Sequence, residues 1–183
     1  RDGEEWVLRG RKKWVTNGRI AGLAAVVART GEATHEGLSI FLVPTDTEGW
    51  TPGAREDTMG LRCLEVLDVE LDHVRVPADA LLGQAGTGFR LAMEGLDMGR
   101  LGVAAQAVGI AEAALDHARR YAGEREQFGR ALHQFEAIQF KLAEMATKVA
   151  AARSLLQWAA RERSTQAAAM AKLFCSEAAM AVT

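Results

Sequence analysis

The feature that most constrains the fold is an abrupt change of sequence pattern near residue 88. Before it, short apolar and β-branched runs such as "KKWVT", "AAVVART" and "LSIFLVP" are separated by Gly, Asn, Asp and Thr, which is typical of strands joined by turns. After it, alanine-rich sequence carries apolar residues at three- and four-residue steps over 89–120, 135–163 and 165–183, the period of amphipathic helices. The sequence therefore predicts an α+β chain with a β domain over residues 1–80 and an antiparallel helical bundle over residues 81–183.

The clearest strand signal is "LDVELDHVRV", residues 67–76. Side chains alternate between the two faces of a strand, so Val69 and Leu71 are expected on one face. The acidic residues Asp68, Glu70 and Asp72 are expected together on the opposite, solvent-facing side.

Composition narrows the function. A formal net charge of −2 over 183 residues gives no electrostatic reason to expect a nucleic acid or a membrane surface as partner. The two cysteines lie far apart, and the four histidines share no ligand spacing, so neither a disulfide framework nor a metal site is predicted. No apolar run approaches membrane-spanning length and the first residues are charged, so the sequence is interpreted as that of a soluble, cytoplasmic protein.

The decapeptide "GRKKWVTNGR", residues 10–19, ends a predicted strand. Strand alternation places Trp14 and Thr16 on one face and Val15 on the other. The Asn17-Gly18 pair predicts a tight hairpin turn, because both residues tolerate positive φ. From these residues alone two interpretations stay open: a hairpin whose tryptophan packs into the core, or a strand end that displays a ring beside a hydroxyl.

Five stretches in order resemble the acyl-CoA dehydrogenase family of flavoenzymes: "GRKKWVTNG", "MGLR" followed by "VELDHVRVPADALLGQAGTGF", "AMEGLDMGRLGVAAQAVGIAEAALDHARRYAGEREQFGR", "AIQFKLAEMATKV" and "AAAMAKLFCSEAA". The resemblance implies a β-barrel-like antiparallel middle domain followed by the helical bundle. It implies FAD as cofactor and dehydrogenation of an acyl thioester. It also implies a fragment that lacks the family's N-terminal helical domain and its C-terminal end, with the catalytic glutamate expected beyond Thr183 and no catalytic residue within the chain.

The resemblance assigns cofactor contacts in two places. Trp14, Val15 and Thr16 match the strand beside the flavin ring, where the indole would cover one flank, Val15 would offer its backbone, and the Thr16 hydroxyl would bond flavin N5. Arg125 and Phe128 match residues that reach the FAD of a neighbouring subunit, with the arginine on its pyrophosphate. An interhelical salt bridge is the alternative for Arg125.

Three positions depart from the family pattern. Glu136 stands where the family usually has a glutamine near the pyrophosphate, and a carboxylate there is repulsive unless it is turned away or compensated by Arg125. Leu64 replaces a serine, and the connection "RERSTQ", residues 161–166, is shorter than usual.

Substrate contacts are implied for "DMGR", the residues Asp97, Met98, Gly99 and Arg100, on a helix face over the acyl-thioester channel. Asp97 and Arg100 are three residues apart, so a local ion pair on the helix is the alternative. Some family members carry the catalytic glutamate at the position of Gly99, which cannot accept a proton here.

The resemblance implies an acyl-thioester dehydrogenase assembled as a dimer of dimers, with an electron-transferring flavoprotein as the oxidant of the reduced flavin. Two other functions stay open at this point: an oxidase on the same scaffold that passes electrons to oxygen, and a non-catalytic relative with a binding or assembly role. Acyl chain length, and CoA as against acyl carrier protein, are not encoded in these residues.

Overall fold

The computed structural model describes residues 1–183. Its strands and helices are, in chain order, β1 (Glu5–Thr16), β2 (Leu23–Arg29), β3 (Leu38–Pro44), β4 (Trp50–Arg55), β5 (Val66–Pro77), β6 (Leu81–Leu82), α1 (Gly88–Glu124), β7 (Glu126–Gln127), β8 (Arg130–Ala131), α2 (Glu136–Glu162) and α3 (Thr165–Val182). The chain forms two compact units, residues 1–92 and 93–183. The division falls inside α1 because the segment that enters this helix packs on β3: a Cβ on Gly88 would lie 2.6 Å from the backbone of Ser39.

The β unit contains two antiparallel three-stranded sheets, ordered β1-β5-β4 and β2-β3-β6. Alternating apolar residues from both sheets form its core, in which Phe41, Val43, Leu67 and Val69 are completely buried. The predicted antiparallel β domain is confirmed.

Strand β5 alternates as predicted only in part. Leu67, Val69 and Leu71 are buried, and then the buried positions change phase to Val74 and Val76. The change coincides with a β-bulge, because two residues of β5 lie between the pairs Leu8–Val74 and Gly10–Leu71 while β1 contributes only one. The prediction that Asp68 faces solvent with Glu70 and Asp72 is wrong for Asp68, which is buried.

The Asn17-Gly18 pair does form a turn, in which the Asn17 carbonyl oxygen accepts hydrogen bonds from the Ile20 and Ala21 amides, but the predicted hairpin is wrong. Asn17 has the expected positive φ of 58°, but β1 pairs with β5, and β2 lies in the other sheet. Gly18 does not have a positive φ, and a Cβ there would lie 3.0 Å from side-chain atoms of Val15 and Leu67. Close packing of the chain over the core therefore explains the glycine.

The helical unit confirms the three predicted helices within a few residues of their expected ends. Small residues line their contacts, and Ala104, Ala111, Ala152, Ala159 and Ala171 are completely buried, as expected for closely approaching helices. Only two residues join α2 to α3. Arg163 ends α2 in a left-handed conformation, and the Ser164 side chain accepts a hydrogen bond from the Ala167 amide as the N-cap of α3.

The two cysteines lie in different units and different environments. Cys63 is exposed in the β unit, whereas Cys175 is buried in the helical unit. Its Sγ lies 3.4 Å from the Ala152 carbonyl oxygen, and burial raises the pKa of its thiol. None of the helices is both long and apolar enough to span a membrane.

Candidate functional site

The end of β1 displays two of the residues predicted to contact the flavin ring. Trp14 is 72% exposed, and the neighbouring Thr16 is exposed as well. The Thr16 hydroxyl forms no hydrogen bond within the protein. Val15 points the other way and packs against the β core. The interpretation of Trp14 as a core residue is therefore wrong, and a flat ring stands beside a free hydroxyl on the surface.

A second β-bulge produces this arrangement. Lys12 pairs with Val69 and Val15 pairs with Leu67, so Lys13 and Trp14 together oppose the single residue Asp68. Trp14 adopts φ 55°, an uncommon conformation for a bulky residue. A bulge re-aims side chains, and nothing in the periodicity of "RKKWVT" signals it.

The segment that follows Thr16 is anchored at several points. The indole Nε1 of buried Trp50 donates a hydrogen bond of 3.0 Å to the Gly18 carbonyl oxygen. Arg19 donates to the Gly53 carbonyl at 2.8 Å and to a Glu65 carboxylate oxygen at 3.1 Å. These contacts hold the end of β1 in one place, which a binding surface for a rigid ring requires.

In the helical unit, the predicted substrate residues lie at the start of α1. Both carboxylate oxygens of Asp97 have partners: Arg100 Nη1 at 2.5 Å and the Thr165 hydroxyl at 2.6 Å. The local ion pair is therefore present, and sequence reasoning missed Thr165, which follows the short α2–α3 connection and carries no recognisable signal. Gly99 is exposed, and a Cβ there would meet no atom within 4 Å.

A groove of about 770 Å³ opens beside Asp97. Asp97 and Met98 line it, whereas Gly99 and Arg100 do not. Most of the wall is apolar, from Leu101 on α1 and Leu156 on α2, and the charged and polar groups come from α1 and from the α2–α3 connection. An apolar groove with polar groups at its edge suits a ligand with an aliphatic part and a polar part.

The connection between α1 and α2 is a small hairpin with Phe128 at its tip. Gln127 pairs with Arg130, and the two residues between them, Phe128 and Gly129, both have positive φ, as in a type I′ turn. Phe128 is 94% exposed. A bulky aromatic residue in a strained and fully exposed position is typical of a contact residue rather than of the core.

Arg125 precedes this hairpin and Glu136 follows it. The Arg125 backbone is fixed by hydrogen bonds to Tyr121 and Leu132, but its guanidinium forms no ion pair within the chain, so the salt-bridge alternative is wrong. Glu136 is exposed in the first turn of α2, where the helix dipole favours a negative charge. That position gives the carboxylate a stabilising role within the chain itself.

Comparisons with known proteins cover the whole chain. The family model for the acyl-CoA dehydrogenase middle domain matches residues 1–74, and the model for the acyl-CoA dehydrogenase C-terminal domain matches residues 86–183. The short-chain specific acyl-CoA dehydrogenase of Bos taurus mitochondria is 48% identical over all of this chain and 46% of its own length.

Solved structures agree. The butyryl-CoA dehydrogenase of Megasphaera elsdenii matches with a TM-score of 0.95 and 41% identity, over 100% of this chain and 49% of that one. A chain in a structure described as the electron transferring flavoprotein of Acidaminococcus fermentans matches with a TM-score of 0.95 and 44% identity, over 100% of this chain and 50% of that one. This chain thus spans about half the length of the relatives it matches. With both of its units matched in order, the chain belongs to the acyl-CoA dehydrogenase family.

Proposed function

We propose that this chain is part of an FAD-dependent enzyme that introduces a double bond between Cα and Cβ of an acyl thioester. Membership of the acyl-CoA dehydrogenase family supports the reaction class. The observation that carries the proposal is the end of β1, where the Trp14 ring and the Thr16 hydroxyl are displayed together on an anchored strand.

The residues present fit FAD in chemical type. Trp14 offers a flat apolar surface for a flat ring, and Thr16 offers a hydroxyl without a partner in the protein. Arg125 offers an unpaired planar guanidinium, which suits a pyrophosphate because it can bind two oxygens at once. Phe128 offers an exposed ring. These four residues would hold the cofactor, with Val15 contributing its backbone.

FAD, when bound, supplies the acceptor for the hydride that leaves Cβ while a base takes the proton from Cα. The contribution of this chain is orientation. Trp14 and Thr16 would fix the plane and the edge of the ring, and the Thr16 hydroxyl would place a hydrogen-bond donor where negative charge develops. None of the acidic residues in this chain is assigned as the base.

The start of α1 would contact the substrate. The groove beside Asp97 and Met98 is the candidate for part of the thioester, because its wall is apolar and its rim is polar. Arg100 holds one oxygen of Asp97 and Thr165 the other, so the carboxylate is fixed in orientation. Gly99 leaves open space on the neighbouring face of the helix.

We further propose a homo-oligomer, a dimer of dimers, in which Arg125 and Phe128 of one subunit contact the FAD of its neighbour. The strained and exposed hairpin supports this proposal, since the Arg125 guanidinium has no ion-pair partner in the chain and Phe128, despite an edge contact with the Phe135 ring at 6.3 Å, remains 94% exposed. An electron-transferring flavoprotein is the proposed electron acceptor, in line with the description of one structurally similar protein.

The test is the flavin itself. The purified full-length protein should be yellow, and its flavin absorbance should bleach under anaerobic conditions when acyl-CoA thioesters are added. A series from short to long acyl chains would define the substrate. A colourless protein that cannot be reconstituted with FAD would reject the proposal, and rapid peroxide formation without an added acceptor would identify an oxidase instead.

A further inference from the structure

Asp68 occupies a singular position in the sheet β1-β5-β4. It lies on the central strand, and each neighbouring strand places two residues opposite it. On β1 these are Lys13 and Trp14, and on β4 the residues between Pro52 and Arg55. Each edge strand of the sheet thus has a bulge opposite Asp68. The pairing register of β5 with both of its neighbours therefore changes at this residue.

The Asp68 side chain is buried and held by cations from β1 alone. Only 9% of the residue is exposed. Its Oδ2 accepts a hydrogen bond from Arg11 and forms an ion pair with Lys13 at 3.2 Å. Its Oδ1 is buried without any partner. A buried carboxylate with an unpaired oxygen is unfavourable unless nearby charges compensate it, so the carboxylate depends on these two cations and they on it.

The ion pair with Asp68 holds Lys13, which is the first residue of the bulge in β1. Trp14 is the second residue of the bulge and has a φ of 55°. This backbone conformation is strained for a tryptophan, and it persists only when the surrounding structure imposes it. Arg11 lies two residues before Lys13 on β1. The Asp68 carboxylate therefore links two side chains of this strand immediately before the strained Trp14. Without that bridge, β1 can remove the bulge and turn Trp14 toward a regular strand orientation.

We propose that Asp68 is a positioning residue for the flavin-binding end of β1, acting through the bulge that holds Trp14 outward. The inference rests on the proposed function, because the outward position of Trp14 matters for activity only if this side chain contacts the flavin. Asp68 itself touches no cofactor in this scheme.

A double-mutant cycle in the full-length protein tests the inference. Asp68→Asn should weaken FAD binding about tenfold, a size typical of residues coupled through one network. The same substitution in a Trp14→Ala background should have less than about a twofold effect, because the residue through which it acts is gone. An equal loss in both backgrounds would show a general effect on the fold, and no loss in either would show that Asp68 does not matter; both results overturn the inference.

Glu5→Gln is the matched control. It removes an ion pair of 2.9 Å to Arg75 on the same two strands, away from the bulge at Trp14, and should leave FAD binding unchanged. A loss of FAD binding in this control equal to that of Asp68→Asn would overturn the inference. If Asp68→Asn does not fold, Lys13→Met is used instead. It removes the ion pair between Asp68 and the bulge, while Arg11 still pairs with the carboxylate, and it is measured with and without Trp14→Ala in the same way.

The φ angle of Trp14 separates this inference from the proposed function. In crystal structures of the parent and of Asp68→Asn, we expect Trp14 to leave the left-handed region only in the variant. An unchanged bulge would overturn the inference whether or not flavin binds. A parent protein without affinity for FAD would instead reject the proposed function.

Discussion

At the residue scale, the Thr16 hydroxyl has the most direct predicted role. Thr16→Val keeps the shape of the side chain and removes the donor. We expect the fold to be retained and flavin reduction to slow, with a barrier higher by about 2–4 kcal/mol, as for loss of one donor aimed at developing charge. Stopped-flow reduction under anaerobic conditions measures this.

Thr51→Val is the control, since Thr51 is an exposed strand threonine of the same sheet without a side-chain hydrogen bond. It should reduce at the parent rate. If Thr16→Val did so too, Thr16 would be an ordinary strand residue.

Asp68 also gives the β unit a defined acid sensitivity. Burial alone would raise its pKa, but hydrogen bonds from Lys13 and Arg11 and their positive charges outweigh burial and lower the pKa below the usual value. A lowered pKa in the folded state stabilises the fold above the unfolded-state pKa of about 3.9, and this contribution is lost as the pH falls through the lower, folded-state pKa. We expect the stability difference between the parent and Asp68→Asn to be constant near neutrality and to shrink below about pH 4. Urea unfolding at a series of pH values measures it, and a difference independent of pH would contradict the prediction.

At the element scale, the two-residue connection makes the start of α3 depend on one side chain. Ser164→Ala removes the N-cap acceptor for the Ala167 amide and should lower the free energy of unfolding by about 1 kcal/mol. Ser176→Ala is the control, because the hydroxyl of this half-buried serine bonds only to the Leu173 carbonyl oxygen within α3. Chemical denaturation of both variants measures the difference. Equal, small effects would mean that the cap contributes nothing to stability.

The elements themselves follow from the sequence far better than their pairings do. Helices α1 to α3 and the strands are local patterns of side-chain period, so their bounds were predictable. The partner of β1 is not local: β5 lies some fifty residues further on, and Asn17-Gly18 gives the same turn signal whether or not a hairpin follows. The bulge at Trp14 and the burial of Asp68 depend on that pairing and were therefore beyond sequence reasoning.

The candidate site divides in the same way. The residue types at the end of β1 and their order carry the family resemblance, and the exposure of Trp14 and Thr16 agrees with a contact role, which itself stays a prediction. The hydrogen bond from Thr165 to Asp97 was missed, since it joins residues that only the packing of α3 brings near α1.

At the scale of the whole molecule, Arg125 should couple cofactor occupancy to assembly. A ligand that bridges two chains stabilises their association, so Arg125→Ala should lower both the flavin-to-protein ratio and the mass measured by light scattering. Arg125→Lys should restore them only partly, because an ammonium lacks the planar two-point contact. Arg119→Ala, at another exposed arginine near the end of α1, should change neither.

Glu136→Gln belongs to the same experiment. It removes a negative charge near the proposed pyrophosphate and should tighten FAD binding or leave it unchanged, at a cost of about 0.3–1 kcal/mol in helix stability. Full occupancy and parent mass in Arg125→Ala would contradict the contact across subunits.

Because Cys63 is exposed and Cys175 is buried, thiol modification can report how fast the helical unit opens. A maleimide reacts with the accessible thiolate, so Cys63 should be modified at once, and Cys175 only when the packing around α3 opens. The delay between modification of Cys63 and modification of Cys175, followed by mass spectrometry, therefore measures the rate at which the helical unit opens locally. Because the first addition leaves that unit untouched, its opening can be compared with and without acyl-CoA in the unmutated protein.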